Sequence, residues 1–224
     1  MNTLTGGLHR GLIHPVVVQV EPAPENRNRL TVGFRLILAI PHLLLVGGGP
    51  IALGLSWSWA ADAGQQLGFG SGGVLGAVAA TVAIIAWFAI LFIGRYPEGL
   101  WNLAAFYLRW RVRAVAYTAL LSDEYPPFGD GDYPVSLELQ PPDSERDRLT
   151  VAFRIILAIP HILVVWVLGI AWALATVVAW FAILFTGRYP AGLHSFAVGV
   201  LRWNTRVEAY LLLLHDEYPP FAFE

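Results

Sequence analysis

Residues 30–46 read LTVGFRLILAIPHLLLV, and residues 149–165 read LTVAFRIILAIPHILVV. Thirteen of these 17 positions are identical. The same holds for AWFAILFIGRYPEGL at 86–100 and AWFAILFTGRYPAGL at 179–193, where 13 of 15 positions agree. DEYPPF occurs at 123–128 and again at 216–221. Self-similarity on this scale marks a tandem duplication. The reading divides the chain into a first repeat over 1–128 and a second over 133–224, joined by the Gly/Asp/Pro loop 128–134.

Outward from these blocks the chain is strongly apolar. Of the 224 residues, 56% are hydrophobic and 13% are charged, against about 25% charged in an average soluble domain. All 14 basic residues are arginine and there is no cysteine, which excludes disulfides and thiolate chemistry. A net charge of −2 gives no drive towards nucleic acid. Residues 1–18 lack the long apolar core of a cleavable signal.

From Leu36 to Gly94 the only charge is Asp62, and from Ile155 to Gly187 there is none. A bilayer crossing takes about 20 apolar residues. Two crossings are expected in the first repeat, near 36–59 and 74–93, inside a hairpin over 36–93. A Gly-rich insertion at 47–73 carries Trp57 and Trp59. One helix over 155–186 would be too long for a bilayer, so a tight hairpin over 151–186, turning near Gly169, is expected. A re-entrant pair is the alternative. Arginines flank both hairpins and are missing from their turns. The positive-inside rule then predicts a multi-pass protein of the inner (plasma) membrane with both termini cytoplasmic.

Each repeat opens on a short extended run, 15–20 or 134–139, and the two runs could pair. Ser144 with Asp147 resembles a helix-opening box; Glu25 and Asn28 stand there in the first repeat. Gly94 and Gly187 suit helix ends, and Pro97 and Pro190 suit helix starts. The segments 98–121 and 193–214 read as amphipathic interfacial helices. The expected fold is an all-α membrane protein of two repeats, each an extended segment, a transmembrane hairpin and an interfacial helix.

The blocks FR-x4-IPH (34–42, 153–161) and GRYP-x-GL (94–100, 187–193) resemble a family of uncharacterised bacterial membrane proteins, a domain of unknown function, here in tandem. The resemblance covers most of both repeats. It implies a location and an architecture but no catalytic residues.

His42 and His161 each follow a proline at equivalent places. They could share a metal or haem, or bond backbone groups freed by proline. Arg35 and Arg154, with Arg95, Arg188, Arg109, Arg113, Arg202 and Arg206, are candidates for lipid headgroups or an anionic ligand, or anchors that snorkel. Asp123, Glu124 and Tyr125, with Asp216, Glu217 and Tyr218, are candidates for partner docking or a solvated loop. No nucleophile elbow, P-loop, HExxH or dinucleotide fingerprint occurs, so no catalytic residue, metal ligand or cofactor is expected. The first functional expectation is a non-enzymatic scaffold or interaction module with membrane lipids and a protein partner. The alternatives are a carrier of a lipid or apolar small molecule, and a His-ligated cofactor protein.

Overall fold

The computed structural model describes residues 14–21, 27–47, 72–142 and 146–224. Trp57, Trp59, Asp62, Glu25 and Ser144 lie outside these residues. The described chain is mainly helical. Its elements are β1 (Val16–Val20), α1 (Arg29–Gly33), α2 (Arg35–Val46), α3 (Gly73–Ile93) and α4 (Glu98–Thr118), followed by β2 (Val135–Leu139), α5 (Arg148–Ala152), α6 (Arg154–Thr186) and α7 (Ala191–Leu211).

The two extended runs do pair. β1 and β2 form an antiparallel ladder with Val18 opposite Leu137. Alternation places Val16, Val18, Val135 and Leu137 in the core, while Gln19 and Glu138 stand exposed and hydrogen-bonded at 3.2 Å. The short helices open on Asn28 and Asp147, whose side chains accept from the N–H groups of Leu30 and Leu149 at 3.1 and 3.0 Å. Asp147 is thus the cap itself.

The expected second hairpin is absent. Residues 154–186 form one helix of 33 residues, about 50 Å long. Gly169 is buried inside it rather than at a turn. Its buried positions recur at helical spacing: Ala158, His161, Val165, Gly169, Trp172, Ala175, Ala179 and Ile183. The first half repeats this stripe in two pieces, α2 with Ala39, His42 and Val46, and α3 with Gly76, Ala79, Val82, Ala86 and Ile90. The lengths, 12 and 21 residues, together match α6. α3 resumes where α2 stops: a Cβ on Gly73 would lie 2.6 Å from the Leu45 carbonyl. The helix expected over 36–59 ends at Val46, and residues 48–71 lie outside the described residues. Gly94 and Gly187 close α3 and α6 in the left-handed region, at φ 79° and 74°.

The segments expected to lie in the headgroup layer are instead the centre of the molecule. Every residue from Trp110 to Thr118 of α4, and from Trp203 to Tyr210 of α7, is buried. α4 touches α2, α3, α7 and β2; α7 touches α6 and β1. Their arginines made them look like surface helices. Arg111 is fully buried because Glu208 of α7 pairs with it at 2.9 Å and the Val46 carbonyl accepts from it at 3.0 Å. An ion pair made across the two halves satisfies charges that local sequence leaves unmatched.

The halves exchange parts. α1 packs on α6, and α5 packs on α3. The Trp180 indole donates to the Val32 carbonyl and the Trp87 indole to the Val151 carbonyl, both at 3.0 Å. α4 and α7 run antiparallel: Trp101 in the first turn of α4 donates to the Leu214 carbonyl, just past α7.

Candidate functional site

Each half contains a guanidinium clamp. Arg35 donates to the carbonyls of Tyr117 and Ser122 and to Asp123 Oδ1 at 2.8 Å, and lies 4.4 Å from the Tyr117 ring centroid. Arg27 donates to Asp123 Oδ2 and to the Leu120 carbonyl, each at 2.7 Å. In the other half Arg154 donates to the carbonyls of Tyr210 and His215 and to Asp216 Oδ1 at 2.6 Å, over the Tyr210 ring at 4.3 Å. Arg146 completes that clamp, 2.7 Å from Asp216 Oδ2 and donating to the Leu213 carbonyl.

The clamps explain two backbone oddities. Leu120 and Leu213 are non-glycine residues with φ of 64° and 62°. That conformation turns the chain at the ends of α4 and α7 so that a carbonyl meets Arg27 or Arg146. Burial pushes the Asp123 carboxyl up, but the Arg27 hydrogen bond and the charges of Arg27 and Arg35 outweigh it. They hold Asp123 below the usual carboxylate range.

DEYPPF therefore latches back onto its own half through its aspartate and its aromatic residues. Asp123 and Asp216 are spent on the clamps, and the aromatic residues close over the histidines. His42 stacks on Phe128 at 4.5 Å and lies 5.0 Å from the Tyr125 ring. His161 stacks on Phe221 at 3.9 Å, with Tyr218 at 4.7 Å. Glu124 and Glu217 alone of the acidic pairs point outward.

The Trp110 indole N–H donates to His42 Nδ1 at 2.9 Å, and Trp203 to His161 Nδ1 at 3.2 Å. An accepting Nδ1 leaves the proton of a neutral imidazole on Nε2. Each histidine thus occupies its own aromatic box and takes its bond from tryptophan, not from a proline-freed backbone group. Among the described residues no group of three or more His, Asp or Glu is placed to hold a metal.

The remaining arginines separate into two sets. Arg113 donates to the Gly129 carbonyl at 2.8 Å, Arg206 to Ala222 at 3.4 Å, and Arg202 to Val18 at 3.2 Å. Arg109 is half-exposed. Arg95 and Arg188 are exposed at the GRYP corners. Each corner is met by the other half: Arg148 lies beside Gly94, and Arg29 beside Gly187. The first corner opens into a cavity of about 590 Å³, lined by Arg95, Tyr96, Glu98, Trp101, Arg146 and Arg148 among others. The two corners sit at opposite ends of α4. One precedes its first turn; the other is tied to its last, because Arg27 donates from its side chain to Leu120 and from its backbone to Gly187.

Sequence reasoning missed Arg27, Arg146, Arg148, Arg111, Glu208 and the two tryptophans at the histidines. Glu208 carried a signal: it is the one acid in α7. The others depend on contacts between halves.

The outer faces of α2, α3 and α6 are apolar and bare. Leu36, Ile37 and Leu44 on α2, Ile85, Phe88 and Phe92 on α3, and Ile156, Trp166, Leu174 and Phe185 on α6 are exposed. Phe92 and Phe185, at equivalent places, are each 78% exposed. α3 and α6 are long and apolar enough to cross a membrane. The family model described as domain of unknown function DUF4389 matches residues 71–129 and 148–222. No curated protein and no solved structure matches the chain.

Proposed function

Since the chain belongs to the DUF4389 family, whose model it matches in two segments, we propose that it is a tandem, membrane-embedded interaction module, not a catalyst, lying flat in one leaflet. α2, α3 and α6 face the acyl chains, and the strand pair faces water. The carrying observation is that α2, α3 and α6 bear exposed apolar residues along their lengths, while the strand pair exposes Gln19 and Glu138. Exposed apolar patches larger than a few hundred Å² are rare on soluble monomers and mark interaction with a membrane or partner.

The alternative is a spanning orientation with α4, α6 and α7 along the membrane normal. It would bring the exposed Gln19–Glu138 pair to the level of the helix middles, since Arg202, midway along α7, bonds Val18. A charge at hydrocarbon depth costs about 2.5–3.5 kcal/mol or more. It would also put the two arginine corners, about 31 Å apart along α4, on opposite sides. Lying flat keeps both corners at the headgroups and Glu138 in water. The non-catalytic reading is supported by three acids, the buried Glu208 and the partly buried Asp123 and Asp216, all committed to arginines.

The cysteine-free sequence makes the test direct. Gly99 and Gly192 lie near opposite corners with open space around them. Gly99→Cys and Gly192→Cys should both react with a membrane-impermeant maleimide from the same side of sealed, oriented vesicles. Labelling from opposite sides would overturn the flat orientation. Release of the protein from membranes by alkaline carbonate would overturn membrane embedding.

A further inference from the structure

We infer that the cavity at the first GRYP corner binds a phosphate group, carried by an anionic phospholipid headgroup or by a free phosphate. The inference rests on the membrane reading only for the choice between those two sources.

The cavity is built from both halves. Arg95, Tyr96, Glu98 and Trp101 come from the junction of α3 and α4, and Arg146 and Arg148 from the approach to α5. Its volume, about 590 Å³, falls in the small-molecule range of about 300–1,000 Å³. Arg95 and Arg148 are exposed at its mouth, and Arg146 lies buried in its wall.

The charge balance of that wall is unequal. Arg146 and Arg154 share a single carboxylate, Asp216. Two buried guanidiniums against one acid leave one positive charge uncompensated. Arg146 Nη1 is buried and has no hydrogen-bond partner among the described residues, although its side chain is only 4% exposed. Sharing one carboxylate leaves the pair under-compensated, and a buried N–H donor without an acceptor is costly. Arg95 and Arg148 add two cations, and Glu98 offsets one. Among the described residues the cavity lining therefore carries an excess of positive charge, and Arg146 in its wall holds an N–H without an acceptor. Guanidinium forks bind phosphate oxygens through paired, charge-assisted hydrogen bonds. Carboxylates of ligands are bound in the same way, but three guanidiniums in the lining of one cavity suit the several oxygens of a phosphate better than the two of a carboxylate.

The location suits a headgroup. Ile93, at the edge of the cavity, is exposed, and Phe92 beside it in sequence carries the bare face of α3 up to this point. An acyl chain lying on that face would bring its phosphate to Arg95.

The test uses the full chain, solubilised in detergent and stripped of lipid, read by native mass spectrometry. The probes are dioleoyl phosphatidic acid, dioleoyl phosphatidylcholine and inorganic phosphate. Phosphatidic acid should bind about tenfold more tightly than phosphatidylcholine, and the double variant Arg95→Gln/Arg148→Gln should hold one phosphate fewer per chain. Both arginines are exposed, so the variant should unfold at the wild-type temperature. Arg29→Gln, exposed at the other corner and outside the cavity, should keep wild-type binding. If inorganic phosphate instead binds and is lost in the double variant, the site stands and its ligand is soluble. Equal binding of the two lipids with no phosphate bound, or binding unchanged in the double variant, overturns the inference. Because binding is read in detergent, it can fail while vesicle labelling succeeds, and the reverse.

Discussion

The indole N–H of Trp87 donates to the carbonyl of Val151 across 64 residues of chain, at 3.0 Å. Its counterpart, Trp180 to Val32, spans 148. Both bonds are made between halves. Trp87→Phe should therefore weaken the whole molecule, not the first half alone. Loss of a half-buried bond costs about 0.5–1.5 kcal/mol. Trp87→Phe and Trp180→Phe should each lower the unfolding midpoint in detergent, with one cooperative transition retained. Two separated transitions would show that the halves unfold independently.

Asp216 is the carboxylate that two arginines share. Asp216→Asn leaves both guanidiniums without a carboxylate, and removing one partner of a buried ion pair costs about 3–5 kcal/mol. The Asp216 side chain is 26% exposed, so water offsets part of this. A loss of about 2–3 kcal/mol is expected by chemical denaturation. Asp123→Asn, at 17% exposure, should cost at least as much. A midpoint equal to wild type in either variant would remove the clamp as a stabilising element.

Acid should loosen the fold in two stages. Burial lowers His215 to about 3 and His14 to about 4, against about 6.5 in an unfolded chain. Both are neutral when folded, so below about 6.5 the unfolded state binds more protons and stability falls with pH. This loss runs from pH 6.5 down to about 4 for His14 and about 3 for His215. Asp123 is held low, so its contribution is present above about 3.9, the unfolded carboxylate value, and is lost as pH falls through its depressed folded value. His215→Phe should flatten the melting-temperature profile between pH 4 and 6.5 and leave the steeper acid limb. An unchanged slope would reject the histidine assignment.

Gly73 sits where a side chain has no room. Its φ is 66°, and a Cβ would fall 2.5 Å from Gly47 N. Both neighbours are backbone and cannot swing aside. Gly73→Ala should separate the end of α2 from the start of α3 and destabilise the chain by about 1–3 kcal/mol. Trp166 occupies the matching place in α6, where the helix runs on. Substitution of Trp166 by Ala should be milder, because that side chain is 55% exposed.

Sequence alone revealed the local parts of this fold. Alternation at Val135, Leu137 and Leu139 marked β2, Asp147 marked a helix start, and Gly94 and Gly187 marked helix ends. Gly169 misled, because a glycine amid apolar residues serves equally as a turn or as a close-packed helix position. Only the stripe of buried residues running through it distinguishes the two. Arg111 misled for a different reason. Its counter-ion, Glu208, lies 97 residues away, so its helix looked amphipathic although every residue from Trp110 to Thr118 is buried. The latch made by DEYPPF was hidden in the same manner: Asp123 looked solvated until Arg27 and Arg35 were brought to it.

The exchange of α1 and α5 between halves has a consequence for synthesis. α3 leaves the ribosome well before α5, and Trp87 must wait 64 residues for Val151. At about 5–20 residues per second that delay is about 3–13 s. α1 waits longer still for Trp180. For those seconds Trp87 of the nascent first half is without its acceptor, and the matching segment of a second nascent chain on the same message could supply one. The order of translation, and not only the final energy, then decides whether the two halves of one molecule find each other.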